Sequence, residues 1–276
     1  MAGEAHFPTK FVTIADKQIA FRYRKALGAT LQRAGGANQT ALSDRAPGLV
    51  WLPGYGSDMK GDKALAVDSF AQNNGLSCLR FDYSGHGESE GNLYEGTISA
   101  WLYEALTLVK TCMQEPPILI GSSLGGWLAL LLARAYLKEN RPLAGIVLIA
   151  PAPDFTEKLI LPSLNIIQRA NLNEGGQIAL EAGNPYAVFS KALFDDGRDH
   201  LVMEGILPFE CPIVIMHGME DTVVPYSHSL ALLNHLPCQN VTLTLIRDGD
   251  HRLSRPEDLS LLGRLLQQML GLVASL

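Results

Sequence analysis

The fold is decided by residues 117–130, which read Pro-Ile-Leu-Ile-Gly-Ser-Ser-Leu-Gly-Gly-Trp-Leu-Ala-Leu. The apolar start predicts a buried strand, and the Ala- and Leu-rich end predicts a buried helix. Between them lies Gly121-x-Ser123-x-Gly125, a pattern typical of a sharp turn from strand to helix. Such a turn strains its central residue and exposes the Ser123 hydroxyl beside the N-terminus of the helix. Because a glycine turn also occurs without catalysis, the role of Ser123 depends on the rest of the chain.

Composition predicts one globular domain over residues 1–276. Hydrophobic residues make up 47% and charged residues 18% of the chain, which excludes a disordered protein. The net charge is −6 and no cluster of Lys and Arg stands out, so we expect no nucleic-acid partner. No apolar stretch is long enough to predict a membrane span.

The cysteines predict a reduced, intracellular protein. They form no C-x-x-C pair and no zinc-finger spacing, which favours buried thiols over disulfides or a metal site. Residues 1–10 lack the basic start and apolar run of a secretory signal. We therefore expect a cytoplasmic protein. The residues concerned are Cys78, Cys112, Cys211 and Cys238.

Short apolar strands alternate with helical segments through most of the chain, which predicts an α/β fold with a mostly parallel central sheet and helices on both faces. Two antiparallel strands come first. Residues 28–47 predict a long surface loop, and residues 154–208 interrupt the alternation with a helical, loop-rich insertion. The predicted strands are 11–15, 18–23, 48–52, 76–81, a strand from 117, 143–149, 212–216 and 241–246, and the predicted helices are 63–72, 97–113, a helix after Ser123, 226–236 and 256–274.

Catalytic residue types follow the predicted strands, where open α/β sheets bind ligands. A serine nucleophile needs a general base, usually histidine, and a carboxylate that orients this base. Asp221 follows the strand that ends at residue 218, and His251 follows the last strand. We interpret Asp250 as structural, because a residue next to His251 on a tight turn usually points elsewhere. Asp248 is a weaker alternative to Asp221.

The remaining histidines and glycines point to no cofactor. His86 and His217 are predicted to anchor loops rather than bind metal, because no second ligand is spaced with either. His228 and His235 are predicted to lie on the surface of an outer helix. The Gly54-x-Gly56 stretch lacks a third glycine at dinucleotide-binding spacing, and no phosphate-binding loop motif occurs.

Taken together, the motifs resemble the α/β-hydrolase superfamily of serine hydrolases. The matching segments are Gly121-x-Ser123-x-Gly125, Gly218-x-x-Asp221, Gly249-Asp250-His251 and the loop at 80–89, within a region from about residue 50 to the C-terminus. The chain is most similar to the branch that contains a mitochondrial palmitoyl-protein thioesterase and acyl-glucuronide esterase.

The resemblance implies an α/β-hydrolase fold with a small helical cap at 154–208 and a role for each site residue. Ser123 would be the nucleophile, His251 the general base and then acid, and Asp221 the orienting carboxylate. The backbone N–H groups of Tyr55 and Leu124 would form the oxyanion hole, with Pro53 where the family usually has histidine.

The implied reaction is hydrolysis of a small-molecule carboxylic ester or thioester through an acyl-enzyme, without metal or organic cofactor. Other triad chemistry (peptidase, acyltransferase or carbon–carbon hydrolase) and a non-catalytic ligand receptor remain alternatives. A dehalogenase is disfavoured, because its nucleophile would be aspartate at position 123. The apolar residues expected to line an acyl pocket are Leu159, Ile160, Leu161, Leu164, Ile166, Ile167, Tyr186 and Phe189.

Overall fold

A computed structural model of the chain describes residues 8–26, 46–182 and 184–275. The predicted loop at 28–47 lies outside these ranges apart from its last two residues. The strands are β1 Lys10–Ile14, β2 Lys17–Arg24, β3 Gly48–Leu52, β4 Cys78–Phe81, β5 Pro117–Ser122, β6 Gly145–Ile149, β7 Gln177–Ala182, β8 Asn184–Ser190, β9 Ile213–Gly218 and β10 Val241–Ile246.

Eight of these strands form one sheet in the order β1-β2-β4-β3-β5-β6-β9-β10. From β4 to β10 all neighbouring strands are parallel, whereas β2 pairs antiparallel with both β1 and β4. Strands β3, β5, β6 and β9 are buried along their whole length, as expected for the centre of a parallel sheet. The carboxyl ends of the parallel strands therefore meet along one edge, where we expect the site.

Helices cover both faces of the sheet, as the alternating pattern predicts. One face carries α2, α3 and α7, whose apolar residues join the larger core, and the other carries α1 and α8 over the smaller core. The helices are α1 Asp62–Asn73, α2 Ile98–Cys112, α3 Leu124–Lys138, α4 Leu161–Ser163, α5 Ile166–Asn173, α6 Lys191–Arg198, α7 Tyr226–Leu233 and α8 Pro256–Ala274, with a 3₁₀ turn at Leu93–Glu95 and a π-helical turn at Thr156–Ile160.

The segment at 154–208 differs in part from its prediction as a helical, loop-rich insertion. It contains α4, α5 and α6, but also the antiparallel pair β7–β8. The helical pattern ends at Gly175, which has φ of 85°, and residues 177–180 then alternate between exposed and buried or half-buried positions. Ile178 is buried by this alternation, so the segment forms a hairpin rather than another helix.

His228 is a second correction, because the prediction of a surface position is wrong. Only 7% of the residue is exposed, and its Nε2 lies 2.8 Å from the carbonyl oxygen of Pro153. Helix α7 therefore presents this histidine to Pro153, just before the 154–208 segment, rather than to solvent.

Candidate active site

Ser123 occupies the turn between β5 and α3 in a strained conformation. Its φ is 53° and its ψ is −117°, a region that non-glycine residues rarely adopt. Hydrogen bonds fix this backbone: the N–H of Ser123 donates to the carbonyl of Ile149, and its own carbonyl accepts from Gly126 and Ala152. The neighbouring strand β6 and the loop after it thus hold the serine at the carboxyl edge of the sheet.

The two glycines of the motif allow backbone segments to cross at this turn. A Cβ on Gly121 would lie 2.2 Å from the carbonyl oxygen of Gly125, and a Cβ on Gly125 would lie 2.0 Å from that of Leu52. Both obstacles are backbone atoms, so a side chain at either position displaces a strand or the helix. Close approach therefore requires glycine at both positions.

The structure brings the three predicted catalytic side chains together. His251 Nε2 lies 3.1 Å from Ser123 Oγ, and His251 Nδ1 lies 2.7 Å from Asp221 Oδ2. With the Nδ1 proton donated to the carboxylate, Nε2 is free to accept the hydroxyl proton of Ser123. A serine, a base and an orienting carboxylate thus form one continuous hydrogen-bonded chain.

Asp221 is held as an ionised acceptor. Its side chain is fully buried, and its Oδ1 accepts from the N–H groups of Val223 and Val224, each at 2.8 Å. Burial alone raises the pKa of this carboxyl, but hydrogen bonds from His217 and His251 outweigh burial and hold the pKa well below its ordinary value. The carboxylate therefore stays charged beside His251.

His217 contacts Asp221 on its buried side, a role that the sequence did not indicate. Its Nε2 lies 3.1 Å from Asp221 Oδ2 and 2.9 Å from the carbonyl oxygen of Val224, while its Nδ1 lies 2.7 Å from Ser229 Oγ. The residue is fully buried at the end of β9. The available signal was a histidine four residues before Asp221. It predicted that His217 anchors a loop, but not that it contacts Asp221.

The alternative carboxylates bind elsewhere. Asp250 Oδ1 accepts from the N–H of Leu253, 2.9 Å away, and so closes the turn after His251. Asp248 pairs with Arg255 at the surface, with a shortest distance of 2.8 Å. Geometry therefore favours Asp221 as the partner of His251.

Two backbone N–H groups border the serine. Tyr55 and Leu124 line the same cavity as Ser123, and among the described residues no hydrogen-bond acceptor takes either N–H. The Tyr55 ring packs against Phe189 at 4.9 Å between ring centroids, and its hydroxyl donates to the carbonyl of Val188. Tyr55 thus joins the loop after β3 to strand β8.

The cavity around Ser123 and His251 has a volume of about 680 Å³, and apolar side chains of the 154–208 segment are part of its lining. Three of the predicted lining residues, Leu159, Ile160 and Phe189, do line it. Ile166 and Ile167 do not, because they are 84% and 68% exposed on the outside of α5. We call a set of its apolar lining residues the apolar end of the cavity; these residues are Ala152, Phe155, Leu159, Ile160, Leu180, Ala187, Phe189, Val223 and Val224.

The other residues predicted to line the acyl pocket lie elsewhere or cannot be placed. Leu161 lines a separate cavity of about 230 Å³, and Leu164 is buried in the core. The side chain of Tyr186 lies outside the described residues. Sequence reasoning missed Phe155 and Leu180, whose positions depend on the π-helical turn and on the β7–β8 hairpin.

Within the described ranges, no group of three or more potential ligand side chains is arranged to hold a metal ion, and no helix is long and apolar enough to cross a membrane. The four cysteines are free thiols. Burial raises the pKa of Cys78 and Cys211 to about 12, so these two thiols are protonated and unreactive at neutral pH.

The fold and the site define a class of protein, and comparison with known proteins agrees. A model of the alpha/beta hydrolase family matches residues 49–260. The chain belongs to this family, which confirms the predicted fold class and the predicted resemblance.

Individual relatives extend over most of the chain. It is 34% identical over 229 residues to the mouse mitochondrial palmitoyl-protein thioesterase ABHD10, covering 80% of this chain and 74% of the relative. Identity to the human ABHD10 is 32% over 226 residues, with 80% and 72% covered. The structure of mouse alpha/beta hydrolase domain-containing protein 10 aligns over 96% of this chain and 98% of its own, with a TM-score of 0.81 and 28% identity.

The crystal structure of a protein described as a hydrolase from Agrobacterium vitis S4 aligns with this chain with a TM-score of 0.85 and 42% identity. The alignment covers 96% of this chain and 99% of that chain. The names of the ABHD10 relatives place them in mitochondria. This finding contradicts the cytoplasmic location predicted from the sequence, and that prediction is wrong.

Proposed function

We propose that the chain hydrolyses carboxylic esters and thioesters with a Ser123–His251–Asp221 triad. The observation that carries this proposal is the continuous chain of short distances from Ser123 Oγ through His251 to Asp221. The ionised, fully buried Asp221 supports it, because this carboxylate fixes the histidine tautomer and stabilises the imidazolium that forms.

The reaction follows from the geometry in two steps. Ser123 Oγ attacks the acyl carbonyl while its proton passes to His251 Nε2, and the carbonyl oxygen becomes an oxyanion. His251 then returns the proton to the departing alcohol or thiol, which leaves an acyl ester on Ser123. A water molecule activated by the same nitrogen cleaves that ester and releases the acid.

The oxyanion is assigned to the N–H groups of Tyr55 and Leu124. Both border Ser123, and neither is engaged with an acceptor among the described residues. A donor of this kind typically contributes about 3–4 kcal/mol to stabilisation of the transition state. Pro53 removes the usual histidine but leaves the backbone of Tyr55 in place.

The acyl group is assigned to the apolar end of the cavity. We propose that residues 154–208 act as a cap within a single domain of 1–276, since Leu159, Ile160 and Phe189 from this segment line the same cavity as Ser123 and His251. The relatives are named palmitoyl-protein thioesterase, and palmitoyl is a long apolar acyl group. A long apolar acyl chain is accordingly the proposed substrate feature.

Hydrolysis of p-nitrophenyl esters and S-acyl peptides with acyl chains from C2 to C16 tests this function. Ser123→Ala should lose turnover and labelling by a fluorophosphonate probe, whereas Ser122→Ala, which removes the adjacent hydroxyl, should keep the labelling. Equal inertness of wild type and Ser123→Ala, together with no labelling of the wild type, would overturn the proposal and favour a non-catalytic receptor.

A further inference from the structure

The loop between β3 and α1, residues 53–61, lies directly against the catalytic serine. We call it the oxyanion loop, because it carries the Tyr55 N–H assigned to the oxyanion. A Cβ on Gly54 would lie 3.2 Å from the carbonyl oxygen of Ser122 and 3.4 Å from Ser123 Cβ. Tyr55 is the next residue. An oxyanion donor acts at about 2.7–3.1 Å, so a small movement of this loop changes how well its N–H stabilises the transition state.

The backbone of the oxyanion loop is tied to the end of β4 at Met59. The N–H of Met59 donates to Asp82 Oδ1 at 2.6 Å, and its carbonyl accepts from Arg80 Nη1 at 2.8 Å. Between this anchor and Ser123, the N–H of Ser57 donates to the carbonyl of Gly54 and closes a turn around Tyr55. The position of the Tyr55 N–H is therefore transmitted from Met59 through one short turn.

The Asp82 carboxylate joins two loops. Its Oδ1 takes the Met59 N–H of the oxyanion loop, and its Oδ2 accepts from the N–H of Glu88, in the loop after β4, at 2.9 Å. The residue is fully buried. A Cβ on Gly87 would lie 2.1 Å from Asp82 Oδ2, so the carboxylate has no room to shift away from Met59. Asp82 is thus a fixed, charged acceptor, and such hydrogen bonds are roughly twice as strong as neutral ones.

The loop after β4 also contacts the side chain of Tyr55. The Tyr55 ring meets the rings of His86 and Trp101 edge to face, at centroid distances of 6.1 Å and 6.0 Å. Burial lowers the pKa of His86 to about 4, so this histidine packs as a neutral ring. These contacts hold the Tyr55 side chain, whereas Asp82 holds the backbone that bears the N–H.

Resting on the proposed hydrolase function, we propose that Asp82 is a positioning residue for the oxyanion hole, which it aligns with Ser123 through Met59. Asp82 does not line the catalytic cavity, so it acts through the backbone of the oxyanion loop and not on the substrate. The role requires two acceptor oxygens. Asparagine has one acceptor oxygen and an NH₂ donor, so it cannot bind both N–H groups.

Two esters that differ only in the carbonyl atom report on the oxyanion hole. They are p-nitrophenyl butyrate and p-nitrophenyl thionobutyrate, in which sulfur replaces the carbonyl oxygen. Sulfur is a weak acceptor, so donors placed for an oxyanion stabilise it less. The readout is the ratio of kcat/KM for the oxygen ester over the thionoester, divided by the same ratio for hydrolysis by hydroxide. We expect about 10² or more in the wild type, as for one oxyanion donor. Displacement of Ser123 or His251 slows both esters and leaves the ratio unchanged.

Asp82→Asn should lower this ratio about tenfold at pH 8, in protein shown to be folded by circular dichroism, because the oxyanion donor is displaced but not removed. Asp154→Asn is the matched control. Asp154 is also fully buried, and it accepts from the N–H groups of Val202 and Met203 at 2.9 Å and 2.8 Å, outside the oxyanion loop. The control should lose stability in a similar way and keep the wild-type ratio.

The pH dependence of the wild type tests the same role without a substitution. Burial raises the pKa of Asp82 to about 6, and the charges of Asp58 and Glu88, which face it, act in the same direction. Arg80 lies two residues earlier on β4. A protonated carboxyl is a weaker acceptor, so the wild-type ratio should fall as the pH drops from 8 to 5. Protonation of His251 slows both esters and cancels in the ratio. In Asp82→Asn the ratio should not change over this range.

The outcomes separate the two proposals. Three results refute the positioning role while the hydrolase function stands: a wild-type ratio near one, a wild-type ratio in folded Asp82→Asn, or an equal fall in Asp154→Asn. A wild-type ratio that stays constant from pH 8 to pH 5 also refutes it, and this measurement decides if Asp82→Asn does not fold. Absence of Ser123-dependent hydrolysis of both esters instead removes the proposed function itself, and the inference with it.

Discussion

Replacing Gly125 by alanine tests the packing argument at the turn that carries Ser123. The added Cβ would lie 2.0 Å from the carbonyl oxygen of Leu52 and 2.7 Å from that of Pro53, whereas ordinary contact begins at 3.4 Å. Helix α3 or the end of β3 must therefore shift by about 1.4 Å. Overpacking of this kind costs roughly 1–3 kcal/mol, and alanine regains about 1 kcal/mol of helix propensity. We expect a net loss of about 1 kcal/mol, and at most about 2 kcal/mol, in the free energy of unfolding.

Urea denaturation followed by circular dichroism measures this loss. Gly263→Ala is the matched control, because Gly263 also lies within a helix but nothing is within 4 Å of its added Cβ. This control should stabilise the protein by up to about 1 kcal/mol. Gly125→Ala should also lose about 10²-fold in activity, since the shift moves Ser123 and the loop that carries Tyr55. The reasoning is wrong if both variants change stability in the same direction.

Two further substitutions test the site. Asp221→Asn should lower kcat by about 10⁴-fold in steady-state ester hydrolysis, because His251 loses the partner that fixes its tautomer, and a loss below tenfold would contradict this role. Hydrogen bonding holds the pKa of Asp221 low, so its stabilising contribution is complete above about pH 4 and is lost as the pH falls through the lower folded pKa. Acid-unfolding curves of Asp221→Asn should lack the loss of stability that comes from protonation of Asp221. Curves that match the wild type would contradict a stabilising role of the ionised Asp221. Tyr55→Phe keeps the ring contact with Phe189 but loses the hydrogen bond to the Val188 carbonyl. Because one hydrogen bond contributes about 1 kcal/mol, KM for C12 to C16 esters should rise about fivefold. KM for C4 esters is the control. An equal rise in KM for short and long esters would show that Tyr55 does not affect binding of the acyl chain.

The sheet and the positions of the triad residues were predictable because each has a local signal. Apolar strands of four to eight residues recur along the chain, and turn or loop residues follow each of them. Ser123, Asp221 and His251 all follow such strands, so the parallel topology alone brings them to one edge. That they lie within hydrogen-bond distance of one another is a matter of side-chain packing that the pattern does not encode.

The 154–208 segment was predicted less well because its structure depends on tertiary contacts. Its apolar residues show no strict period, so Ile166 and Ile167 were expected in the cavity and lie outside it. His228 illustrates the same limit, since a histidine on an amphipathic helix is assigned by the helical period, whereas its burial depends on the carbonyl of Pro153 across the core.

The location of the protein could not be predicted from the features used. Scattered cysteines and the lack of a secretory signal distinguish reducing from oxidising compartments, but they do not separate one reducing compartment from another. The cytoplasmic prediction went beyond these features, and similarity to relatives named as mitochondrial overturned it.

The strained backbone of Ser123 serves the proposed catalysis and lowers the stability of the fold. A non-glycine residue in this conformation costs about 1–3 kcal/mol, which glycine avoids at an entropic cost of about 0.5–1 kcal/mol. The Ser123→Gly protein should therefore unfold at a higher temperature than the wild type. Under the proposed function, selection for activity would hold this chain below the stability that its fold allows. Without that selection, replacement of Ser123 by glycine would stabilise the fold and remove the proposed nucleophile.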